Sequence, residues 1–438
     1  MRGRLIGSLA IVAVVVSPLV ALAVDRADIS EKGSLLIFSK VELKWQEADP
    51  ENGDGGEGST AGVGNPFELV QDTFLTIAND YPESVHIQLY FVQGDPPLFP
   101  QFAGDPPALV ERFHQGWNWF DCQVELTANQ PTHLSLESGL PLGCQPFTAL
   151  DPGNPPGRPD REVLGGRILR GYVLAWAVDP LGNEISWNHL QGSALIAGYG
   201  RATAWEYEAH SFRVLSAGLG EPTDDMPGQL LLNGREYATC FDKLLFQFHT
   251  TGSQVFSRPD RSVFVNTDLT LHPVTADLRQ DFFPLLTTIA KFDLWNMNEV
   301  RFSGTSKRIS CWDEALLSRY GSDTVNQFSR SALQTDEARA RIDGVISTNC
   351  DTKALSVPLL GVTSKQVVFV SPQIPVGFAE AGRTLVGTGE EDAGILYDII
   401  SGPDELRVEG PSFESPQGPP MRPGSQPQRR ESTHRGGK

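Results

Sequence analysis

Polar and apolar residues alternate along much of the chain, which is the pattern of half-buried β-strands. Residues 40–45 alternate strictly and residues 85–91 repeat the pattern, so each run places its apolar side chains on one face of a sheet. A β-rich run at 74–78 is joined to 85–91 by turn-forming residues at 79–84. These segments predict an antiparallel hairpin.

Runs of the same kind continue along the chain, at 122–127, 133–136, 169–178 with a return at 184–188, 244–249, 263–266, 268–272, and 289–295 with a return from Val300. We therefore predict an all-β fold of two antiparallel, Ig-like β-sandwich domains, residues 33–215 and 240–400, joined by a linker at 216–239. Helical signal is scarce, and only 312–320 and 335–342 carry capping residues that predict short helices.

The two halves share one local pattern. Residues 75–79 before Val85 resemble residues 292–296 before Val300, since each is a strand that ends in Asn and is followed by a short polar turn and a returning strand. A degenerate duplication would explain the likeness, and so would chance, because hairpins with Asn in the turn are common.

The first 23 residues have the features of a secretory signal peptide. Two arginines precede an apolar run that ends at Ala21-Leu22-Ala23. A membrane anchor is the competing interpretation, but Pro18 and the small residues at the exit favour cleavage. We expect a secreted or periplasmic protein that begins with a short segment at 24–32 and has no transmembrane segment after cleavage.

Three further segments have compositions that do not favour packing. They are the acidic, Gly-rich loop at 47–64, the Pro/Gly-rich loop at 152–161 and the Pro/Gly-rich tail at 401–438. The chain as a whole has 35 basic and 54 acidic side chains, a formal charge of −19. Such an excess of acid argues against a nucleic-acid partner, because affinity for nucleic acid comes from basic residues that neutralise phosphates.

Five cysteines are candidates for disulfides in an exported protein. Proximity in the sequence favours Cys122 with Cys144 and Cys311 with Cys350, which leaves Cys240 as a free thiol, but the sequence alone does not fix the pairing. No C-x-x-C motif occurs and no His stands at ligand spacing from a Cys, so we expect no metal site and no cofactor. The acidic residues at 49–57 also lack the spacing of a calcium loop.

No catalytic motif is present. The sequence has no G-x-S-x-G, H-E-x-x-H or phosphate-binding loop that leads into a helix, so a non-catalytic structural or binding module is the leading hypothesis. The alternative is an extracellular hydrolase of polysaccharides with paired carboxylates from separate strands, which only geometry would reveal. Asp179 and Glu184 flank one turn, but a turn is where acidic residues ordinarily lie, so we name no catalytic residue. His86, His249 and His272 lie in period-two runs and are expected on solvated strand faces.

Trp117 and Trp119 are the candidate binding residues. They stand two positions apart, so they would share one face of a strand and could form a platform for a glycan or for an envelope protein. The alternative is that both rings simply cover the sheet near Cys122.

Several blocks carry a resemblance. Residues 72–79 with the strand at 85–91, and the blocks at 296–305, 310–314 and 379–387, are similar to uncharacterised exported bacterial β-sandwich proteins. The resemblance loosely covers residues 33–390. It implies export and β-architecture, and it transfers no activity and no catalytic residue.

Overall fold

The computed structural model describes residues 26–47, 67–94, 119–144, 158–159, 166–223, 230–252, 254–258, 261–274, 288–309, 312–321, 325–346, 355–371 and 374–388. The predicted signal peptide and the tail at 401–438 lie outside these residues. In chain order, the described strands are β1 (Leu35–Glu47), β2 (Phe67–Asn79), β3 (Val85–Gln93), β4 (Trp119–Leu126), β5 (Gln130–Ser135), β6 (Arg158–Pro159), β7 (Arg167–Val178), β8 (Leu190–Gly198), β9 (Thr203–Glu208), β10 (His210–Phe212), β11 (Lys243–His249), β12 (Gln254–Arg258), β13 (Arg261–Pro273), β14 (Thr288–Asn296), β15 (Arg301–Ile309), β16 (Asp313–Leu316), β17 (Glu337–Ile346), β18 (Leu355–Ser356), β19 (Leu359–Ser371), β20 (Ile374–Thr384) and β21 (Val386–Thr388).

These strands form three sheets, and the strand pairs within them are antiparallel. The N-terminal half, residues 26–223, holds one sheet of order β4-β3-β7-β1-β2-β8-β9, with β10 on β1, β5 on β2 and β6 on β7. The C-terminal half, residues 230–388, holds two sheets: a six-stranded sheet β15-β14-β17-β11-β21 with β18 on β17, and a five-stranded sheet β12-β13-β19-β20 with β16 on β13. The prediction of an antiparallel all-β fold is confirmed.

Helices are short in the described part of the chain. One α-helix of four residues, α1 (Arg330–Leu333), is capped by the Ser329 hydroxyl, and single 3-10 turns lie at Tyr199–Arg201 and Leu317–Tyr320. Among the described residues, no helix combines the length and apolar character that a bilayer crossing requires.

Both predicted helices are wrong in whole or in part. Residues 335–342 contain good helix formers, but Ala338, Ala340 and Ile342 alternate with Arg339 and Arg341, and the chain there is strand β17 with its apolar side chains buried. As a strand, this segment pairs with β11 on one side and β14 on the other and buries its apolar face in the core, and these gains outweigh its helix propensity. In 312–320, the first residues form β16 beside β13, and only the last four turn into a 3-10 helix.

The sheet of the N-terminal half is covered on both faces where β1 and β7 lie. Leu36 and Phe38 of β1 pack into a core within the N-terminal half, whereas the neighbouring Leu35 and Ile37 pack into a core that also contains Leu244, Phe248 and Leu271 of the C-terminal half. The strand pairing of β1 shifts between Phe38 and Val41, and beyond this bulge the odd-numbered residues face the first core. The bulge therefore turns Lys40 and Glu42 toward the C-terminal half.

The hairpin predicted from 74–78 and 85–91 is not formed. The C-terminal end of β2 pairs with β5 and β8, whereas β3 pairs with β4 and β7. The turn between them therefore connects two separate parts of the same sheet. The Asn79 side chain organises this crossing: its amide donates to the carbonyls of Glu83 and Thr127, and its oxygen accepts from the Trp187 indole at 3.0 Å.

The corresponding segment of the C-terminal half does form a hairpin. β14 pairs with β15 from Thr288↔Ile309 to Trp295↔Arg301, and the Asn296 side chain accepts from the backbone N–H of Asn298 and of Val300. The two segments that look alike in sequence therefore have different strand partners. What they share is the turn chemistry around an Asn side chain.

Candidate functional site

A cleft of about 920 Å³ opens where the chain passes from one sheet of the C-terminal half to the other. β20 ends at Thr384 in the five-stranded sheet, and after Leu385 the chain enters β21, which pairs with β11 only at Lys243–Leu245. Among the described strands none pairs with this edge of β11 beyond Leu245, so the two sheets diverge there. The cleft lies between them.

The floor of the cleft belongs to the six-stranded sheet. Trp295 on β14, Arg339 on β17 and Gln247 on β11 are register partners across three neighbouring strands and therefore share one sheet face. Leu245, two residues before Gln247, lies on the same face and is 44% exposed. The floor thus combines an aromatic ring, a cation, an amide and an apolar side chain.

The opposite wall is formed by β19 and β20. Lys365 is paired with Ala381, and Thr363 is paired with Arg383, so Lys365 and Arg383 are diagonal neighbours on one face of this hairpin. That face also carries Leu269 through its pairing with Thr363, and Leu269 packs into the core shared by both halves. The wall is therefore anchored by the core at its base and carries two cations.

Three cations of the cleft have no ionic partner. Within the described residues, no carboxylate oxygen lies within 4 Å of the charged nitrogens of Arg339, Lys365 or Arg383. Two nearby arginines differ, because Arg301 and Arg341 both pair with Asp293 and lie 5.8 and 5.7 Å from the centre of the Trp295 ring. The unpartnered cations are thus available to a ligand.

The charge of Lys365 is felt within the cleft region. Burial, together with the positive charge of Lys365, lowers the pKa of His249 and outweighs the opposing effect of Glu337. Glu299 is the single carboxylate among the described lining residues, against three cations. This cleft is therefore electropositive on a strongly acidic protein, and such a concave site concentrates anions.

The cleft has the side chains that bind an anion. Arginine presents a planar fork of N–H donors to carboxylates, sulfates or phosphates, and lysine adds a point charge. The lining described by the structure offers only one carboxylic acid, so the two-carboxylate mechanism of glycoside hydrolysis lacks its second acid there.

A second constellation lies buried between the two halves. Ser39 Oγ is 3.2 Å from His210 Nδ1 and 3.0 Å from His272 Nε2, and His210 Nε2 is 3.0 Å from the carbonyl oxygen of Leu385. A carbonyl only accepts, so His210 Nε2 carries the proton and its Nδ1 accepts from the Ser39 hydroxyl. Ser39 Oγ is also within hydrogen-bond distance of His272 Nε2. We call this chain of hydrogen bonds the histidine relay.

The histidine relay contains a serine beside a histidine, as nucleophilic catalysis requires, but its three side chains are buried. Burial lowers the pKa of His210 to about 4 and that of His272 to about 3, so both rings are neutral near pH 7. We therefore assign the relay a structural role. The expectation that His272 lies on a solvated face is wrong, because the N-terminal half covers that face and Tyr172 stacks on the ring at 4.6 Å.

An ionic cluster lies beside the relay. Lys40 pairs with Glu314 of β16 and lies 3.9 Å from Glu42, while Lys44 lies 2.7 Å from Glu42 and Arg170 lies 3.5 Å from Glu314. Lys40, Glu42 and Glu314 are almost fully buried, with side-chain exposures of 10% or less. Charges from both halves thus neutralise each other in the interface.

The pKa values in this cluster move in opposite directions. Burial alone would raise the pKa of Glu42, but the ammonium groups of Lys44 and Lys40 lower it to about 2. For Asp268 burial prevails over the opposing charge of Lys40, and the charges of Glu314 and Glu42 add to it, so its pKa is raised to about 6.

The residues predicted from the sequence lie elsewhere. Cys122 and Cys144 form a disulfide with Cα atoms 6.2 Å apart, and the thiol of Cys240 is buried. Cys311 and Cys350 lie outside the described residues, as does Trp117. Trp119 begins β4 opposite Val92, but only its backbone belongs to the described part. The platform of Trp117 and Trp119 therefore stays a prediction.

The two carboxylates that flank the turn at 179–184 have separate structural roles. Asp179 accepts hydrogen bonds from the backbone of Leu181 and Asn183 in an exposed turn, whereas Glu184 is buried and accepts from the Tyr237 hydroxyl. In the described residues no cluster of three or more His, Cys, Asp or Glu side chains is arranged to hold a metal.

The sequence does contain a signal for the cleft that was missed. Arg339 lies in the segment expected to be helical, and a strand interpretation of the alternation at 337–343 would have placed Arg339 and Arg341 on one exposed face. Lys365 and Arg383 also alternate with buried residues, but nothing local shows that their strands meet β11.

No protein-family model matches the chain, and no curated protein is similar to it. Several solved structures align loosely with the chain, and two of them serve as examples. The T=1 particles derived from infectious bursal virus share 9% identity over 83% of this chain and 72% of theirs, with a TM-score of 0.12. The CupB6 tip adhesin of Pseudomonas aeruginosa shares 11% identity over 81% of this chain and 93% of its own, with a TM-score of 0.09. At these TM-scores neither likeness bears on fold or function.

Proposed function

We propose that the protein is an exported, non-catalytic binding module of the cell envelope or extracellular space, built of two Ig-like β-sandwich domains at 33–215 and 240–400. Its ligand is anionic and binds in the cleft between β11 and the β19–β20 hairpin. The observation that carries the proposal is the set of three unpartnered cations, Arg339, Lys365 and Arg383, in one concave site.

The surroundings of the cleft support this role. The protein has a formal charge of −19, and this concave site gathers three cations that have no carboxylate partner among the described residues. Unlike Arg301 and Arg341, which pair with Asp293, they leave their hydrogen-bond donors to a ligand. An aromatic and an apolar side chain on the floor, Trp295 and Leu245, add contact area for the uncharged part of a ligand.

The binding test uses the mature protein and three polymers: sodium polygalacturonate, poly-L-glutamate and neutral dextran. We expect at least one anionic polymer to bind, dextran not to bind, and the affinity to fall as salt rises from low to high concentration because the contacts are ionic. Replacement of Arg339 and Arg383 by Gln removes two charge-assisted hydrogen-bonding groups and should weaken binding by at least about tenfold.

A matched variant separates the site from the net charge. Lys291 and Arg308 are exposed on the same six-stranded sheet but outside the cleft, and their replacement by Gln changes the net charge equally. This control should bind like the natural protein. Equal losses in both double variants, or no binding of either anionic polymer, would contradict the proposal. Export is tested separately by N-terminal sequencing, which should begin after Ala23.

A further inference from the structure

The cleft wall has a second face, and that face rests on the N-terminal half. Residues 381–384 of β20 all border the cleft, but strand alternation places the side chains of Ala381 and Arg383 on the face of Lys365 and turns those of Glu380 and Thr384, with the Cα of Gly382, toward the opposite face. Each of the last three residues contacts the segment of β9 and the turn before it, residues 201–208.

The closest of these contacts is between Gly382 and Trp205. The Trp205 ring lies where a Cβ of residue 382 would stand, so any larger residue would overlap the ring. Trp205 cannot easily yield, because it is buried in the core of the N-terminal half and packs against Tyr207 at 5.7 Å. The absence of a side chain at 382 therefore sets how closely β20 approaches β9.

Polar contacts on either side fix the position along the strand. The Thr384 hydroxyl donates to the carbonyl oxygen of Glu208, and the carboxylate of Glu380 accepts from Thr203 Oγ1 at 3.4 Å. Arg201 lies 3.8 Å from the other oxygen of Glu380 and 5.2 Å from the centre of the Phe378 ring. These contacts hold the strand at both ends of the Gly382 contact.

The histidine relay holds the next residue. Leu385 lines the cleft, its carbonyl accepts from His210, and its N–H donates to Gly361 at 2.9 Å. The point at which the chain leaves β20 for β21, and thereby opens the cleft, is thus tied to β10 of the N-terminal half.

We infer that the N-terminal half is part of the binding site, as a scaffold that positions the Lys365 and Arg383 wall opposite Arg339. This inference rests on the proposed function. Trp205 and His210 are positioning residues: they touch no ligand and act through Gly382 and Leu385. By linkage, a ligand that bridges the floor and the wall also strengthens the packing between the halves.

The test replaces Gly382 by Ala in the mature chain, which pushes β20 away from Trp205 and leaves every charge in place. We expect affinity for sodium polygalacturonate to fall about tenfold, because a Cβ at residue 382 would stand 1.9 Å from the Trp205 ring, so β20 must move and its cation loses the geometry that it shares with Arg339. The control is Gly182→Ala, which strains a turn residue with φ of 87° and meets nothing within 4 Å. Its affinity should stay within about twofold of the natural protein.

Hydrogen exchange of the amides at 374–385 provides a readout that needs no ligand. Faster exchange in Gly382→Ala but not in Gly182→Ala supports the bracing of β20 by the N-terminal half. In a second variant, Trp205→Leu is added to Gly382→Ala, which gives the new methyl group space and should restore part of the affinity. If Gly382→Ala does not fold, Glu380→Gln with Thr384→Val loosens the same contacts more gently. Unchanged affinity and unchanged exchange would overturn the inference. If no anionic polymer binds the natural protein, the proposed function fails, and exchange alone then decides whether β20 is braced.

Discussion

Replacement of Lys40 by Met is the most direct test of how the two halves are held together. Met keeps the length and apolar stem of Lys but removes the ammonium group, which pairs with Glu314 and lies 3.9 Å from Glu42. Both carboxylates are nearly buried, so the variant leaves two negative charges in the interface with fewer partners. Burial opposes the charge of Lys40 itself, but the neighbouring Glu314 and Glu42 raise its pKa, so the charged form is the one removed.

The magnitude follows from the partners that remain. Breaking a buried ion pair by removing one partner costs about 3–5 kcal/mol. Lys44 still lies 2.7 Å from Glu42, and Arg170 still lies 3.5 Å from Glu314. These two cations compensate part of the loss, so we expect the lower end, about 3 kcal/mol of unfolding free energy. The exposed pair of Lys32 and Asp80 gives the comparison, and Lys32→Met should cost no more than about 1 kcal/mol.

The assay is urea denaturation at pH 7 followed by tryptophan fluorescence, with the midpoint and slope compared between variants. Adding Glu314→Gln to Lys40→Met should recover part of the lost stability, because one uncompensated charge is then removed. If Lys40→Met is no less stable than Lys32→Met, the ionic cluster does not stabilise the interface.

Three further predictions concern other parts of the molecule. The native state raises the pKa of Asp268 from 3.8 to about 6, so it binds this proton more tightly than the unfolded state, and stability is lost as pH rises through this range. Asp268→Asn should abolish that loss and be more stable than the natural protein at pH 7.5 by up to about 3 kcal/mol in urea titrations. An unchanged pH profile of stability would contradict this prediction. Ser39→Ala leaves two buried imidazole nitrogens without their partner and should cost about 1–3 kcal/mol in the same assay, whereas a cost near zero would mean that the relay adds nothing. Replacing Cys122 and Cys144 by Ser opens a loop of 22 residues and should cost about 3 kcal/mol, and non-reducing peptide mapping of the natural protein should find the two cysteines linked and not paired with others.

Local patterns predicted much of the secondary structure. Alternation identified β3, β7 and β11, because one or both faces of a strand must be apolar to be buried. The hairpin at Asn296 was recognised from the turn-forming residues between two strand patterns, and the Asn296 side chain does accept a hydrogen bond within that turn. The proximity of Cys122 and Cys144 was a sufficient guide to their pairing. β17 was missed because its alternation is carried by Ala and Arg, which are also good helix formers.

Pairing between distant strands was beyond local patterns. The turn after Asn79 looks like that after Asn296. In the first turn, however, the indole of Trp187, more than a hundred residues away, donates a hydrogen bond to Asn79. The flanking strands β2 and β3 do not pair with each other and have other partners. A hairpin and a crossing between parts of a sheet have the same turn chemistry. Only the competition among all strands distinguishes them.

The sequence by itself determined an acidic, antiparallel all-β chain, because period-two alternation and net charge are local or summed properties. The tertiary structure decided what covers each strand face. Lys40 and Glu42 follow the alternation that normally marks a solvated face, but a bulge in β1 turns them toward the C-terminal half, which buries them as ion pairs. Arg339 lies on β17 of the six-stranded sheet, whereas Lys365 and Arg383 lie on the paired strands β19 and β20 of the other sheet, so the three cations come together only where the two sheets meet. The alternation in each strand predicts which sheet face a side chain occupies. Only the packing of the two sheets brings these faces together to form a binding site.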